Sequence, residues 1–169
     1  MLILHADEAS RLAIRPRWPS RCVLVEECVY TALVDAQSRA PHSVRLVLTR
    51  GFEPRASLAG RTRRLSRIVG KRVFRLLYPR RRSEIEPIFG ANGHDVDGTH
   101  VDVSVALDGR VIRFLPLGVF TPVSWQRRCV DRHADALQTV WQLLIEVGFS
   151  IHGNPTESLQ IHCDYRLLG

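Results

Sequence analysis

Two stretches of this 169-residue chain space metal-capable side chains in the same way. In His100-Val101-Asp102-Val103-Ser104-Val105-Ala106-Leu107 every odd position is apolar and nearly every even one is polar. Leu159-Gln160-Ile161-His162-Cys163-Asp164-Tyr165 alternates likewise. Side chains of a strand point to opposite faces in turn, so His100 shares a face with Asp102, and His162 with Asp164. If the two strands are neighbours, both apolar faces enter the core together and the imidazoles and carboxylates meet on the other side. Two imidazoles and one carboxylate leave one tetrahedral position open, the arrangement of catalytic zinc. The plain alternative is a solvated strand face, on which His and Asp are common.

The elements that must position these residues can be read from periodicity. Cys22 to Ser38 reads as a helix, with Val25, Val29, Leu33 and Ala36 at helical spacing. Residues 43–49 alternate as a strand that Gly51 and Pro54 stop. Residues 58–77 set Leu65, Ile68, Val69, Val73, Leu76 and Leu77 among seven basic residues, an amphipathic helix expected to turn its basic face outward. Pro79 closes it, and Arg80 to Arg82 follow in a loop. Asp108-Gly109 is a hairpin turn, with Val111 to Phe114 as the returning strand. Asp131 to Val147 is helical, with Leu137, Trp141 and Leu144 as its stripe and Gly148 as its stop. Residues 1–20 form an irregular arm. The expectation is a single domain over residues 1–169, of the α+β class, in which helices pack on a small antiparallel sheet.

Composition narrows the functional classes. The chain is 45% hydrophobic and 24% charged, which is globular and not disordered. No apolar run approaches the roughly 20 residues that span a bilayer, so no membrane partner is expected. The N-terminus turns acidic after four residues, unlike a secretory signal, and a cytoplasmic location is the default expectation. Cys22, Cys28, Cys129 and Cys163 form no CxxC pair, which argues against a zinc ribbon. The net charge of +7 attracts acidic partners. Of the 24 basic residues only Lys71 is a lysine, a bias that a GC-rich coding sequence would also produce. The basic run has little aromatic interleaving for base stacking, so nucleic acid is not the expected partner.

Gly93-His94-Asp95-Val96-Asp97-Gly98-Thr99-His100-Val101-Asp102-Val103 resembles the first ligand motif of the LAS metallopeptidases, which comprise lysostaphin-type enzymes, D-Ala-D-Ala peptidases and the hedgehog signalling domain. Residues 156–164, with a Glu before the last ligand His, resemble the second motif, nearest to its hedgehog form. Residues 114–120 are similar to the segment after the hairpin in D-Ala-D-Ala dipeptidases, and the helix ending at Gly148-Phe149 to the one that delivers their last strand. Residues 48–55 resemble the strand end where those enzymes carry a substrate-facing Arg. The likeness runs over about residues 44 to 166 in the family's order and implies a hedgehog/D-Ala-D-Ala-peptidase-like fold.

What the resemblance implies is zinc (Zn2+) held by His94, Asp102 and His162, with Glu157 as general base. An Arg at 50 or 55 would hold the substrate carbonyl, and Arg55, Ser104 and His152 are candidate substrate contacts. The substrate class would be a small peptidoglycan-type peptide containing a D-amino acid. His94 precedes Asp102 by eight residues where the family has seven, leaving His100 as an alternative first ligand; His94 is preferred because Gly98 keeps its distance from Asp102. Leu159 stands where D-Ala-D-Ala peptidases place their Glu, and Glu53 where they place Arg. Two other classes stay open: a zinc-retaining domain that binds without hydrolysis, and an Arg-rich polyanion binder.

Overall fold

The alternation of valines at 101, 103 and 105 organises the larger sheet. In the computed structural model, which describes residues 1–89, 94, 96–112, 120–152 and 159–166, they lie on the central strand β5 (His100–Leu107). Four strands precede it: β2 (Ala13–Ile14), β4 (Val44–Arg50), and β1 (Leu2–His5) with β3 (Cys22–Val25), which pair separately in a two-stranded antiparallel sheet. The larger sheet has the order β2-β4-β5-β8-β7, with β7 at Phe149–His152 and β8 at Gln160–Tyr165, and a short β6 (Arg110–Val111) also pairs with β5. It is mixed: β2 runs parallel to β4, and the other pairings are antiparallel. The protein is thus a mixed α/β structure with a small antiparallel sheet and a larger mixed one.

One face of the larger sheet is the core. Val101 pairs with Cys163, Val103 with Ile161 and Leu48, and Val105 with Leu46. Helices α1 (Glu27–Arg39) and, later in the chain, Ala134–Glu146 cover that face with Val29, Leu33, Ala36, Leu137, Val140 and Leu144. At about 25 cal/mol per Å2, burial of such aliphatic side chains is the main term favouring the fold. The opposite face of β5 is buried as well, since Asp102 and Ser104 have 0% and 1% exposure. Solvent does not reach these two side chains.

Helix α2 (Leu58–Leu77) has the expected limits, and its Ser57 cap accepts a hydrogen bond from the Gly60 amide at 3.0 Å. Arg61, Arg64, Arg72 and Arg75 are exposed as expected, but the apolar stripe is exposed too. Phe74 is its one buried residue among those described, whereas Leu65, Val69 and Leu76 face solvent. Two attachments set that roll: the Arg63 guanidinium reaches the buried Glu53 carboxylate, and Phe74 enters a separate cluster with Ile85 and Ile88. The expected loop at Arg80–Arg82 is a 3-10 turn over Pro79–Glu84, followed by α3 (Ile85–Phe89).

Three further expectations are corrected. Cys22–Val25 is strand and not helix; its β-branched Val23 and Val25 alternate with half-buried Cys22 and Leu24, the period of a strand. The arm at 1–20 contains β1 and β2. The helix expected over Asp131 to Val147 is α5 (Ala134–Glu146), and a helix that was not foreseen, α4 (Val123–Arg132), precedes it, parted from it at His133. The hairpin stands at Asp108 and Gly109, whose φ of 48° and 75° suit the type I′ turn that closes two-residue hairpins. Residues 113–119, in which the returning strand was expected to end, lie outside those described.

Candidate metal centre

Strand register builds the site. Antiparallel pairing of β5 with β8 sets Asp102 directly opposite His162, and His162 Nδ1 lies 2.6 Å from Asp102 Oδ1. His94, in the turn before β5, brings Nε2 to 2.9 Å from the same oxygen. All three residues are buried, and one ligand atom from each lies within 4.8 Å of the others. Gly98 lets the intervening loop lie flat on β3: a Cβ there would meet the Glu26 amide nitrogen at 2.8 Å. Gly98 O in turn accepts from that amide at 3.2 Å, and His94 O accepts from Glu53 N at 2.7 Å. The His94 carbonyl and the stretch that follows it are therefore both tied down.

Proton placement indicates what the group is built for. His94 Nδ1 sits 3.2 Å from two backbone carbonyl oxygens, of Gly51 and His100. Carbonyls only accept, so Nδ1 carries the hydrogen. Nε2 then faces a carboxylate oxygen at 2.9 Å, a contact that requires between them either a second proton, which makes the ring cationic, or a metal cation. A ring N–H held by backbone carbonyls is also what orients imidazole ligands in metal sites. Asp102 Oδ2 is buried without a hydrogen-bond partner among the described residues. The donor set, two nitrogens and a carboxylate with an unsatisfied oxygen, fits a divalent ion. Burial opposes ionisation of Asp102, yet the charge and hydrogen bonds of His94 and His162 hold its pKa well below the ordinary carboxylate value.

Arginines surround this group. A bulge between Leu48 and Arg50 sets Arg50, instead of Thr49, opposite Asp102. Arg50 Nη1 is 3.9 Å from Asp102 Oδ2, and its Nη2 is 2.9 Å from Glu53 Oε2. Glu53 also takes the Ser20 hydroxyl at 2.9 Å and pairs with Arg63 at 3.0 Å. Burial, then the nearby Arg50 charge, lowers the Arg63 pKa to about 10. An open pocket beside His94 is lined by Arg50, Arg55, Arg63, Arg64 and Arg67 with the single acid Glu53. Such a wall suits a carboxylate or another oxyanion.

The other candidates fall in different places. His100 turns away from the three: its Nδ1 is 3.2 Å from Asp97 and its Nε2 is 3.4 Å from Asp164. His152, at the end of β7, is exposed and pairs with Asp164. Ser104 lies beneath the sheet surface on the Asp102 face, its hydroxyl without a hydrogen-bond partner among the described residues. Glu157 lies outside the described residues. Glu53 and Thr49 were not foreseen as parts of the site. Thr49 donates to the Asp102 carbonyl at 3.0 Å and accepts from Gln160 at 3.1 Å, holding β4, β5 and β8 together behind the ligands. The one signal for Glu53 was an acid set between Arg50 and Arg55 just after a strand.

Fold and site together define a mixed α/β protein carrying a buried His-Asp-His group able to hold a metal ion. The chain matches no protein-family model, no curated protein and no solved structure.

Proposed function

We propose that the protein is a zinc-dependent peptidase-like domain of LAS type, acting on a small peptide that contains a D-amino acid. The observation that carries this reading is the convergence of His94, Asp102 and His162 on one buried point beside an arginine-walled pocket. A bound Zn2+ would supply Lewis acidity and a water of lowered pKa. The chain's own residues do the rest. His94 and His162 offer ring nitrogens, with the His94 ring fixed by its two carbonyl partners. Asp102 supplies the negative charge. Arg50 and Arg55 line the approach and would take the substrate's carbonyl or terminal carboxylate through paired N–H donors. Glu157 is the proposed proton acceptor by resemblance.

A second reading is a zinc-retaining domain that binds a peptide without cleaving it. Leu159 favours it: it takes the place of the Glu that D-Ala-D-Ala peptidases carry, and it is 4% exposed within the apolar core. Metal analysis of the purified chain and hydrolysis assays with D-Ala-D-Ala and related peptides decide between the two. Stoichiometric zinc with cleavage lost in Glu157→Gln supports the peptidase. Zinc without turnover over the peptide panel supports the binding domain. No metal in the wild type, or unchanged metal content in Asp102→Ala, overturns both.

A further inference from the structure

The outer side of α2 has no partner in the fold. Leu58, Leu65, Val69, Val73 and Leu76 follow at spacings of seven, four, four and three, one stripe along a helix of 20 residues. Leu58, Leu65 and Leu76 are 80%, 64% and 81% exposed, so the stripe is bare. Arg61, Arg64, Arg72 and Arg75 occupy the neighbouring band at matching spacing, and among the described residues they have no acidic partner. Residues 54–83 contain 11 basic residues and no acid. The helix therefore has three sides: Phe74 and Arg63 inward, a naked aliphatic stripe outward, and a cationic band between them.

We propose that α2 docks the protein on an anionic lipid bilayer surface, lying in the interface plane. A helix of this length is about 30 Å long. A straight apolar stripe edged with arginine suits the headgroup boundary, where aliphatic side chains sink and guanidinium groups stay at the phosphate level. A second copy answers the pattern less well. Laid antiparallel along the stripe, it brings the two arginine bands together, and neither helix has an acid to neutralise them. The expectation of no membrane partner came from the lack of a spanning segment, and no helix of the described residues is long and apolar enough to cross a membrane. A helix that rests on the surface needs no such span. The aliphatic stripe contributes nothing to the pocket beside His94, to which α2 gives the arginines Arg63, Arg67 and, from the band, Arg64.

The test is co-sedimentation of the full chain with vesicles of phosphatidylcholine alone or mixed with phosphatidylserine in equal parts. Binding to the mixed vesicles is expected to be at least about tenfold tighter, since each basic side chain near such a surface counts for about fivefold. It should weaken as salt shortens the screening length. Substituting Leu65→Ser, Val69→Ser and Leu76→Ser together should lower it by about tenfold or more, with zinc content unchanged. Arg61→Gln, Arg64→Gln, Arg72→Gln and Arg75→Gln together should reduce it to the phosphatidylcholine level. If the aliphatic variant loses helical circular dichroism, Leu76→Ser alone serves in its place. No preference for phosphatidylserine, or binding indifferent to the aliphatic substitutions, overturns the proposal. So does a dimer in sedimentation equilibrium that those substitutions dissociate, or equal aliphatic-dependent capture by polyglutamate.

Discussion

Asp102 on β5 and His162 on β8 face each other across adjacent strands, with Oδ1 and Nδ1 2.6 Å apart although 60 residues separate them in sequence. The metal-binding reading depends on this juxtaposition. Substitution of Asp102 by Asn, which keeps the volume and removes the charge, should abolish stoichiometric metal binding. It should also cost the metal-free protein about 3 kcal/mol, the typical penalty for breaking a buried charge pair. Inductively coupled plasma analysis and urea denaturation check the two parts.

Acid should act through the same carboxylate. The folded pKa of Asp102 lies well below its ordinary value, the two imidazoles outweighing the effect of burial. The unfolded chain binds this proton at about pH 4, so the stabilisation is complete above that value and is lost as the pH falls further. Metal-free wild type should accordingly lose stability steeply below about pH 4, whereas Asp102→Asn should show a flatter acid limb there. Urea midpoints measured across that range would reveal the difference.

The Glu53 carboxylate neutralises Arg50 and Arg63 at the pocket wall. Replacing it with Gln leaves Arg63 enclosed without its counter-charge and should destabilise the protein by about 2 kcal/mol. Arg63→Met, which removes the charge that burial disfavours, should cost less. A double-mutant cycle between the two positions measures their coupling.

The roll of α2 is open to direct test. Phe74→Ala removes a ring packed against Tyr78, Phe89 and Phe120 and should cost about 3 kcal/mol. Leu76→Ala, on the bare side, should stay within about 0.5 kcal/mol of wild type. Equal losses at both positions in thermal denaturation would contradict the orientation described.

Cys163 should be the slowest thiol to react. It is buried beneath β8 with Sγ 3.7 Å from the Val101 carbonyl, and burial, aided by the Asp102 charge, raises its pKa well above the usual thiol value. Iodoacetamide labelling followed by mass spectrometry should modify Cys22, Cys28 and Cys129 first, and Cys163 only on unfolding.

Much of the ligand set was legible because period-two alternation is a local signal. The valines of 101–105 and the pair Ile161 and Cys163 assign His162 and Asp102 to one side of the sheet before any pairing is known. What local pattern cannot supply is register, which sets His100 opposite Asp164, and the path of the turn that carries His94 to Asp102. The roll of α2 was misjudged for a related reason. An amphipathic pattern locates an apolar stripe but does not say what covers it, and here one aromatic anchor and one buried ion pair decide the matter. Cys22–Val25 misled because four residues with two valines fit either period.

Thr49 is the surplus residue in its pairing with β5, and that surplus rotates the chain so that Arg50 arrives over Asp102. The electrostatic balance of the centre is therefore written partly as a count of residues. Were the same residues paired without the bulge, Thr49 would stand opposite Asp102, a neutral neighbour where a cation now stands.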